Sequence, residues 1–260
     1  MQRRPLNYAH RGGALEAPSS TLFAMRQALA AGAHALEMDV HATADGEIVV
    51  CHDPTVDATT DGTGPIAAMT LAEVQRLDNA VGWPAYAGRA PADRSFGVAT
   101  LREVLEAFPD TILNLDIKQT GPDVEPYEAA LAALLREYGR DRSDDVIVAS
   151  FLDGATERFS SFAPSVATSA GTVATAAFWQ AVQAGVDPPP MGHVALQVPA
   201  RYEATVVVDQ RFVDVAHAAG VAVHVWTVDD PDQMAALLDL GVDGIITDRP
   251  SVLAAVLAAR

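Results

Sequence analysis

Cysteine is almost absent from this sequence: Cys51 stands alone among 260 residues. An internal disulfide needs two, so the fold must rest on its core, and the chain reads as one for a reducing, cytoplasmic compartment. Cys51 lies in an apolar run and is read as a buried strand residue, not a nucleophile. Basic charge is also scarce, with 17 Lys and Arg against 34 Asp and Glu, a net charge of −17. Nucleic acids and anionic membrane surfaces bind basic patches, so the balance argues against both. It decides little about a small anionic substrate, which responds to its local site. Long hydrophobic runs are missing too. The uncharged stretch 163–186 contains Pro164, Gly171 and Gly185 and reads as a strand and a helix, not a membrane span. Arg3-Arg4 is followed by Pro5 and then a strand-like run, which leaves no room for a signal-peptide core, so no membrane anchor is expected. There is no internal repeat, heptad array or low-complexity segment.

What is present is a regular alternation. Half of the residues are hydrophobic, and the length suffices for one large core. Strands are read at Leu6–His10, Ala35–Val40, Ile112–Ile117, Val146–Ala149, Val166–Ser169, Val194–Val198, Val221–Val225 and Gly244–Thr247. Helical segments lie between them, such as Thr21–Ala31, stopped by Gly32, and Pro231–Leu240. Eight strand-helix units in this length predict an α/β fold of the TIM (β/α)8 barrel type. The expectation is a single domain over residues 1–260, with a small loop-rich insertion after the second strand at about 41–98. A loop-rich insertion of this length is usually functional, such as a lid.

A barrel places its site at the C-terminal ends of its strands. There the sequence has His10 and Arg11, Glu37 and Asp39, Asp116 and Lys118, Ser150 and Phe151, Gln197, Trp226 and Asp248. Glu37 and Asp39 are two apart in a strand, so both carboxylates share one face. Burying two like charges unpaired is costly, and a hard cation such as Mg²⁺ or Ca²⁺ removes the cost. Taken alone, the pair reads better as a solvated strand face; the other residues at the rim reverse that balance. The turn signal Asp45-Gly46 and the run Ile48–Cys51 form a hairpin that returns His52-Asp53 toward the carboxylates.

Five motifs occur in order: His10-Arg11-Gly12-Gly13 with Ala17-Pro18; Glu37-x-Asp39-Val40; His52-Asp53-Pro54; Asp116-Ile117-Lys118; and Trp226-Thr227-Val228 with the run from Gly241 to Pro250. Together they resemble the glycerophosphodiester phosphodiesterase family, relatives of phosphatidylinositol-specific phospholipase C. The likeness runs from residue 8 to residue 250 and carries the same barrel and insertion. It implies hydrolysis of a small-molecule glycerophosphodiester to sn-glycerol 3-phosphate and an alcohol, in lipid and glycerol metabolism, by a monomer or small homo-oligomer. One divalent cation, Mg²⁺ or Ca²⁺, is implied on Glu37, Asp39 and Asp116. Arg11 and Lys118 are implied as phosphate-binding, and His10 and His52 as general base and general acid. Phe151, Gln197 and Trp226 are candidates for the substrate pocket, with Phe178 a further aromatic that either lines it or packs. Asp53 either orients His52 or caps its loop, and Asp248 is read as capping the loop before the last helix. His41 alternates away from the carboxylates and is read as structural.

Three positions depart from the family pattern. Ser19-Ser20 replaces Glu-Asn, so hydroxyls or water are expected to supply the lost hydrogen bonds. Asp116 replaces a glutamate, one methylene longer. His41 stands where a smaller or amide side chain is common. The same architecture also supports a cyclic-phosphate-forming or lysophospholipase-D-like enzyme, for which the insertion would have to offer an apolar groove. A non-catalytic barrel is disfavoured, because it has no need of two histidines beside a carboxylate cluster.

Overall fold

The computed structural model describes residues 4–118 and 124–260. Strand β1 (Leu6–His10) leads through helix α1 (Leu22–Ala30) to β2 (Ala35–Ala42), which forms a hairpin with β3 (Ile48–Val50). After the short α2 (Leu71–Val74) and α3 (Leu101–Ala107) come β4 (Ile112–Ile117), α4 (Glu128–Glu137), β5 (Val146–Ala149), α5 (Asp153–Phe162), β6 (Ala167–Thr168) and α6 (Thr172–Ala184). Then β7 (Ala195–Pro199) precedes a hairpin of β8 (Arg201–Tyr202) and β9 (Thr205–Val206), followed by α7 (Gln210–Ala218), β10 (Ala222–Trp226), α8 (Pro231–Leu240), β11 (Gly244–Thr247) and α9 (Pro250–Ala258).

Eight of these strands are parallel, in the order β6-β5-β4-β2-β1-β11-β10-β7. A single parallel bridge, Ser169 opposite Ala195, joins the two ends. Backbone bonds from Ala170 N to Ala195 O (3.0 Å) and from Val194 N to Thr168 O (3.0 Å) flank it. The result is the expected barrel, closed most weakly between β6 and β7.

The strands alternate by face. Outward residues such as Leu36, Met38, Val40, Leu113 and Leu115 are fully buried under the helices. Each such side chain contributes roughly 1.5–3 kcal/mol by leaving water. Phe178 and Phe212 meet edge to face at 5.7 Å in a second cluster between α6 and α7. Phe178 is therefore core and takes no part in a pocket. The inward face of the same strands carries Tyr8, Asn114, Gln197 and His224 low in the barrel. Gly244 is needed here: a Cβ on it would lie 2.8 Å from the Tyr8 ring.

The segment between β2 and α3 has its own small core of Val49, Cys51, Val56, Ile66, Val74 and Val98. Its aromatic residues do not make a groove. Tyr86 and Phe96 stack at 5.3 Å and close on Phe23 of α1, with Arg89 over both rings.

Candidate active site

Register places the site before side chains are considered. His10 lies opposite Glu37, and Asp39 opposite Asp116, on three adjacent parallel strands. Chain order therefore becomes side-by-side order, and inward residues of β1, β2 and β4 meet at the upper rim. Arg11 turns the chain into the left-handed region, at φ 52°, and Gly12 and Gly13 continue the turn at 80° and 91°. This aims the Arg11 amide at Glu37, donating to its carbonyl at 3.0 Å and to Oε2 at 3.1 Å.

Glu37, Asp39 and Asp116 are all buried and offer oxygens within 4.8 Å of one another. Arg11 Nε stands 3.3 Å from Asp39 Oδ2. Lys118 Nζ, of the chain's single lysine, lies 2.8 Å from Asp39 Oδ1 and 2.6 Å from Asp116 Oδ2. Even so, both Asp39 oxygens and Asp116 Oδ1 are buried without a hydrogen bond of normal geometry among the described residues. Burial and the Asp39 charge push the Glu37 carboxyl up to about 8, although His10 pulls it back. Burial also raises Asp116, against the pull of Lys118. Burial alone would lower Lys118, but Asp116 and Asp39 outweigh it and hold the ammonium charged. Crowded, under-satisfied carboxylate oxygens are the donor set a hard cation takes, so these three residues can hold a metal ion.

The two histidines are each held by a carboxylate. His10 Nδ1 is 2.6 Å from Asp248 Oδ1, leaving Nε2 3.9 Å from Glu37 Oε2. Burial would lower the His10 pKa, but the Asp248 hydrogen bond and the Glu37 charge raise it on balance. Asp248 thus orients His10 instead of capping, and Thr247 Oγ1 accepts from the Arg249 amide at the start of α9. His52 Nδ1 pairs with Asp53 Oδ1 at 2.6 Å, so Asp53 orients its neighbour. The His52 carbonyl accepts from His41 Nε2 at 3.2 Å. That bond fixes His41 as a structural histidine, and burial lowers its pKa. Burial pushes the Cys51 thiol up to about 11, which leaves it inert.

Ser19 and Ser20 receive support that the sequence did not suggest. Ser20 N donates to Arg11 O at 2.8 Å, and the amide of Asn79, from the insertion, donates to Ser19 O at 3.1 Å. An amide from another segment thus holds the Ser19 carbonyl.

These groups open into a cavity of about 760 Å³. His10, Arg11, Glu37, His52, Asp116 and Lys118 line one side; Asp39 lies fully buried behind them. Phe151, Gln197 and Trp226 line it as well. Phe151 stands with its ring 5.3 Å from Lys118 Nζ and edge-on to Trp226 at 5.6 Å. Gln197 lies on the floor, accepting from Asn114 Nδ2 at 3.2 Å and standing 3.4 Å from His224 Nδ1. Sequence reasoning missed the hairpin β8–β9, which supplies Tyr202 and Thr205 to the wall. Its strands are two residues long and its turn uses Glu203 at φ 51° in place of glycine or asparagine, so it left no turn signal. No helix among the described residues is long and apolar enough to cross a membrane.

Comparison with known proteins gives a consistent result. The profile of the glycerophosphoryl diester phosphodiesterase family matches residues 10–252. A glycerophosphodiester phosphodiesterase of Caldanaerobacter subterraneus subsp. tengcongensis is 31% identical, with 96% of each chain covered. A probable glycerophosphodiester phosphodiesterase 2 of Mycobacterium tuberculosis is 32% identical, over 97% of this chain and 90% of the relative. Among solved structures, an Oleispira antarctica phosphodiesterase in complex with the product sn-glycerol-3-phosphate superimposes with a TM-score of 0.80 at 25% identity, covering 98% of this chain and 97% of the other.

Proposed function

The chain belongs to the glycerophosphoryl diester phosphodiesterase family, and from that premise we propose that it hydrolyses glycerophosphodiesters to sn-glycerol 3-phosphate and an alcohol with the help of one Mg²⁺ or Ca²⁺ ion. The observation that carries the reading is the meeting of two carboxylate-held histidines with a three-carboxylate cluster and two fixed cations in one cavity.

A phosphodiester is an anion, so attack on phosphorus requires neutralisation of its non-bridging oxygens. Arg11 offers a planar fork and Lys118 a point charge at the cavity wall. When bound at Glu37, Asp39 and Asp116, a divalent cation supplies further positive charge against the phosphate. His10 is the general base. With Nδ1 committed to Asp248, its Nε2 is the atom that accepts a proton from the attacking hydroxyl or water. His52, oriented through Nδ1 by Asp53, has Nε2 left to protonate the departing alcohol. Phe151 and Trp226 enclose the substrate carbons and exclude water.

The test is release of glycerol 3-phosphate from glycerophosphocholine and glycerophosphoethanolamine, with EDTA and then with Mg²⁺ or Ca²⁺ restored. The expected outcome is release that EDTA abolishes and one of the two ions restores. No release with either ion refutes the reading.

A further inference from the structure

The loop between β1 and α1 carries Arg11 and is strained at both ends. Among the described residues three that are not glycine have positive φ, and two of them are in this loop: Arg11 at 52° and Ser20 at 59°. Left-handed backbone is unfavourable for such residues and persists only where the surroundings hold it. Asparagine tolerates that region better than serine does, and Ser20 stands where the family pattern has asparagine. The loop therefore needs a hold from elsewhere.

The insertion supplies one. The Ser19 carbonyl and the Ser20 amide are the two ends of a single peptide group. Its N–H donates to Arg11 O at 2.8 Å, and its carbonyl accepts from Asn79 Nδ2 at 3.1 Å. A run of hydrogen bonds thus leads from the insertion through one peptide to Arg11, and each bond in such a run polarises the next. Asn79 is itself fixed: it is 4% exposed, and its amide donates to Phe96 O at 2.9 Å. The neighbouring Asp78 carboxylate accepts from the Ala80 and Gly88 amides. Phe96 in turn lies 4.8 Å from Phe23 of α1, and Arg26 of the same helix donates to Ser95 Oγ at 3.1 Å. Packing does not make the link at the loop. A crevice of about 110 Å³ is lined by Arg11, Ser19 and Ser20 from the loop and by His52, Asp53 and Thr55 from the insertion. To the large cavity the insertion gives only His52 among the described residues, so it is no lid.

We propose that Asn79 is a positioning residue for Arg11, and that the insertion serves as a brace for the loop that presents this guanidinium to the phosphate. Asn79 touches no substrate; it acts by holding the Ser19–Ser20 peptide against the Arg11 carbonyl. The inference rests on the phosphodiesterase reading above, in which Arg11 meets the phosphate.

The test is a double-mutant cycle on the full chain with Mg²⁺ or Ca²⁺ present. Asn79→Leu is the main variant, because leucine is close to asparagine in size and the Oδ1 it removes is buried without a partner among the described residues. Asn79→Ala is the second. Each is made alone and together with Arg11→Ala. Two quantities are read: kcat/KM for glycerophosphocholine, and the Kd of sn-glycerol 3-phosphate by calorimetry. Alone, each Asn79 variant should weaken product binding and lower kcat/KM by about three- to tenfold, chiefly through KM, which is the range of one lost hydrogen bond. Added to Arg11→Ala, it should change either quantity by less than about twofold, since the group it positions is gone. Equal losses with and without Arg11 overturn the inference, and so does the absence of a loss in both variants. A loss expressed as a raised metal requirement also overturns it and assigns the brace to Glu37, which the Arg11 amide contacts. Product binding that follows the cycle in a parent that turns over no diester keeps the brace and removes the activity. Neither binding nor turnover in the parent overturns both.

Discussion

The two halves of the barrel mouth are built from the same kind of strand and differ in nearly everything else. On the β1, β2 and β4 side, inward residues are His10, Glu37, Asp39 and Asp116, and the groups are held by short ion pairs. On the side of β5, β7 and β10 the wall is mainly aromatic and aliphatic, interrupted by hydroxyls such as Ser150 and Thr175 and, among the described residues, by no charged side chain. The first half is positioned by backbone register and carboxylate partners. The second is positioned by ring contacts and by loops. Chemistry requires groups fixed to fractions of an ångström, whereas an apolar wall requires only shape and dryness. The barrel separates the two demands by strand.

The comparison breaks most sharply at the histidines. His10→Ala and His52→Ala should each cost about 10²–10⁴ in kcat while leaving thermal stability near that of the parent. Near-normal turnover in either variant removes that residue from proton transfer.

Asp248 comes next, because it acts through His10. Asp248→Asn keeps the size of the side chain but loses the charge and changes the tautomer it favours. A fall of about 10–100-fold in kcat is expected, with the acidic limb of the pH profile, set by protonation of His10, moved to lower pH, since the Asp248 hydrogen bond raises that pKa. A merely structural role would lower the amount of folded enzyme and leave the pH profile in place.

The smallest effect lies under the apolar half. His224 is buried on the floor against Tyr8 and Gln197, and burial lowers its pKa to about 4. The unfolded chain therefore binds a proton that the folded chain refuses between about pH 6.5 and pH 4, and stability falls as pH drops through that window. His224→Gln should recover about 2 kcal/mol of the stability lost between pH 8 and pH 5, read from urea unfolding at the two pH values. Identical pH dependence in parent and variant refutes the assignment.

Much of the charged half was legible in the linear chain. Two-residue spacing in Glu37-x-Asp39 and Asp116-x-Lys118 survives folding unchanged, because a strand sends alternate side chains to one face. Strand ends at His10 and Trp226 were marked by apolar runs giving way to polar turns. Asp248 was misread because its partner lies 238 residues away, and a carboxylate before Arg249-Pro250 looks like a local cap. The hydrogen-bond partner of Ser19 was hidden for the same reason, since Asn79 arrives from 60 positions downstream.

By itself, then, the sequence determined the alternation of eight strands and helices and the face on which each acid of the strand motifs lies. These follow from local periodicity and composition, which need no knowledge of distant neighbours. Tertiary structure alone decided which carboxylate holds which histidine, where the insertion packs, and that an apolar chamber faces the charged rim. Those outcomes depend on which loops the closed barrel brings together, from Phe151 to Trp226 and from His10 to Asp248, and no spacing along the chain encodes that meeting.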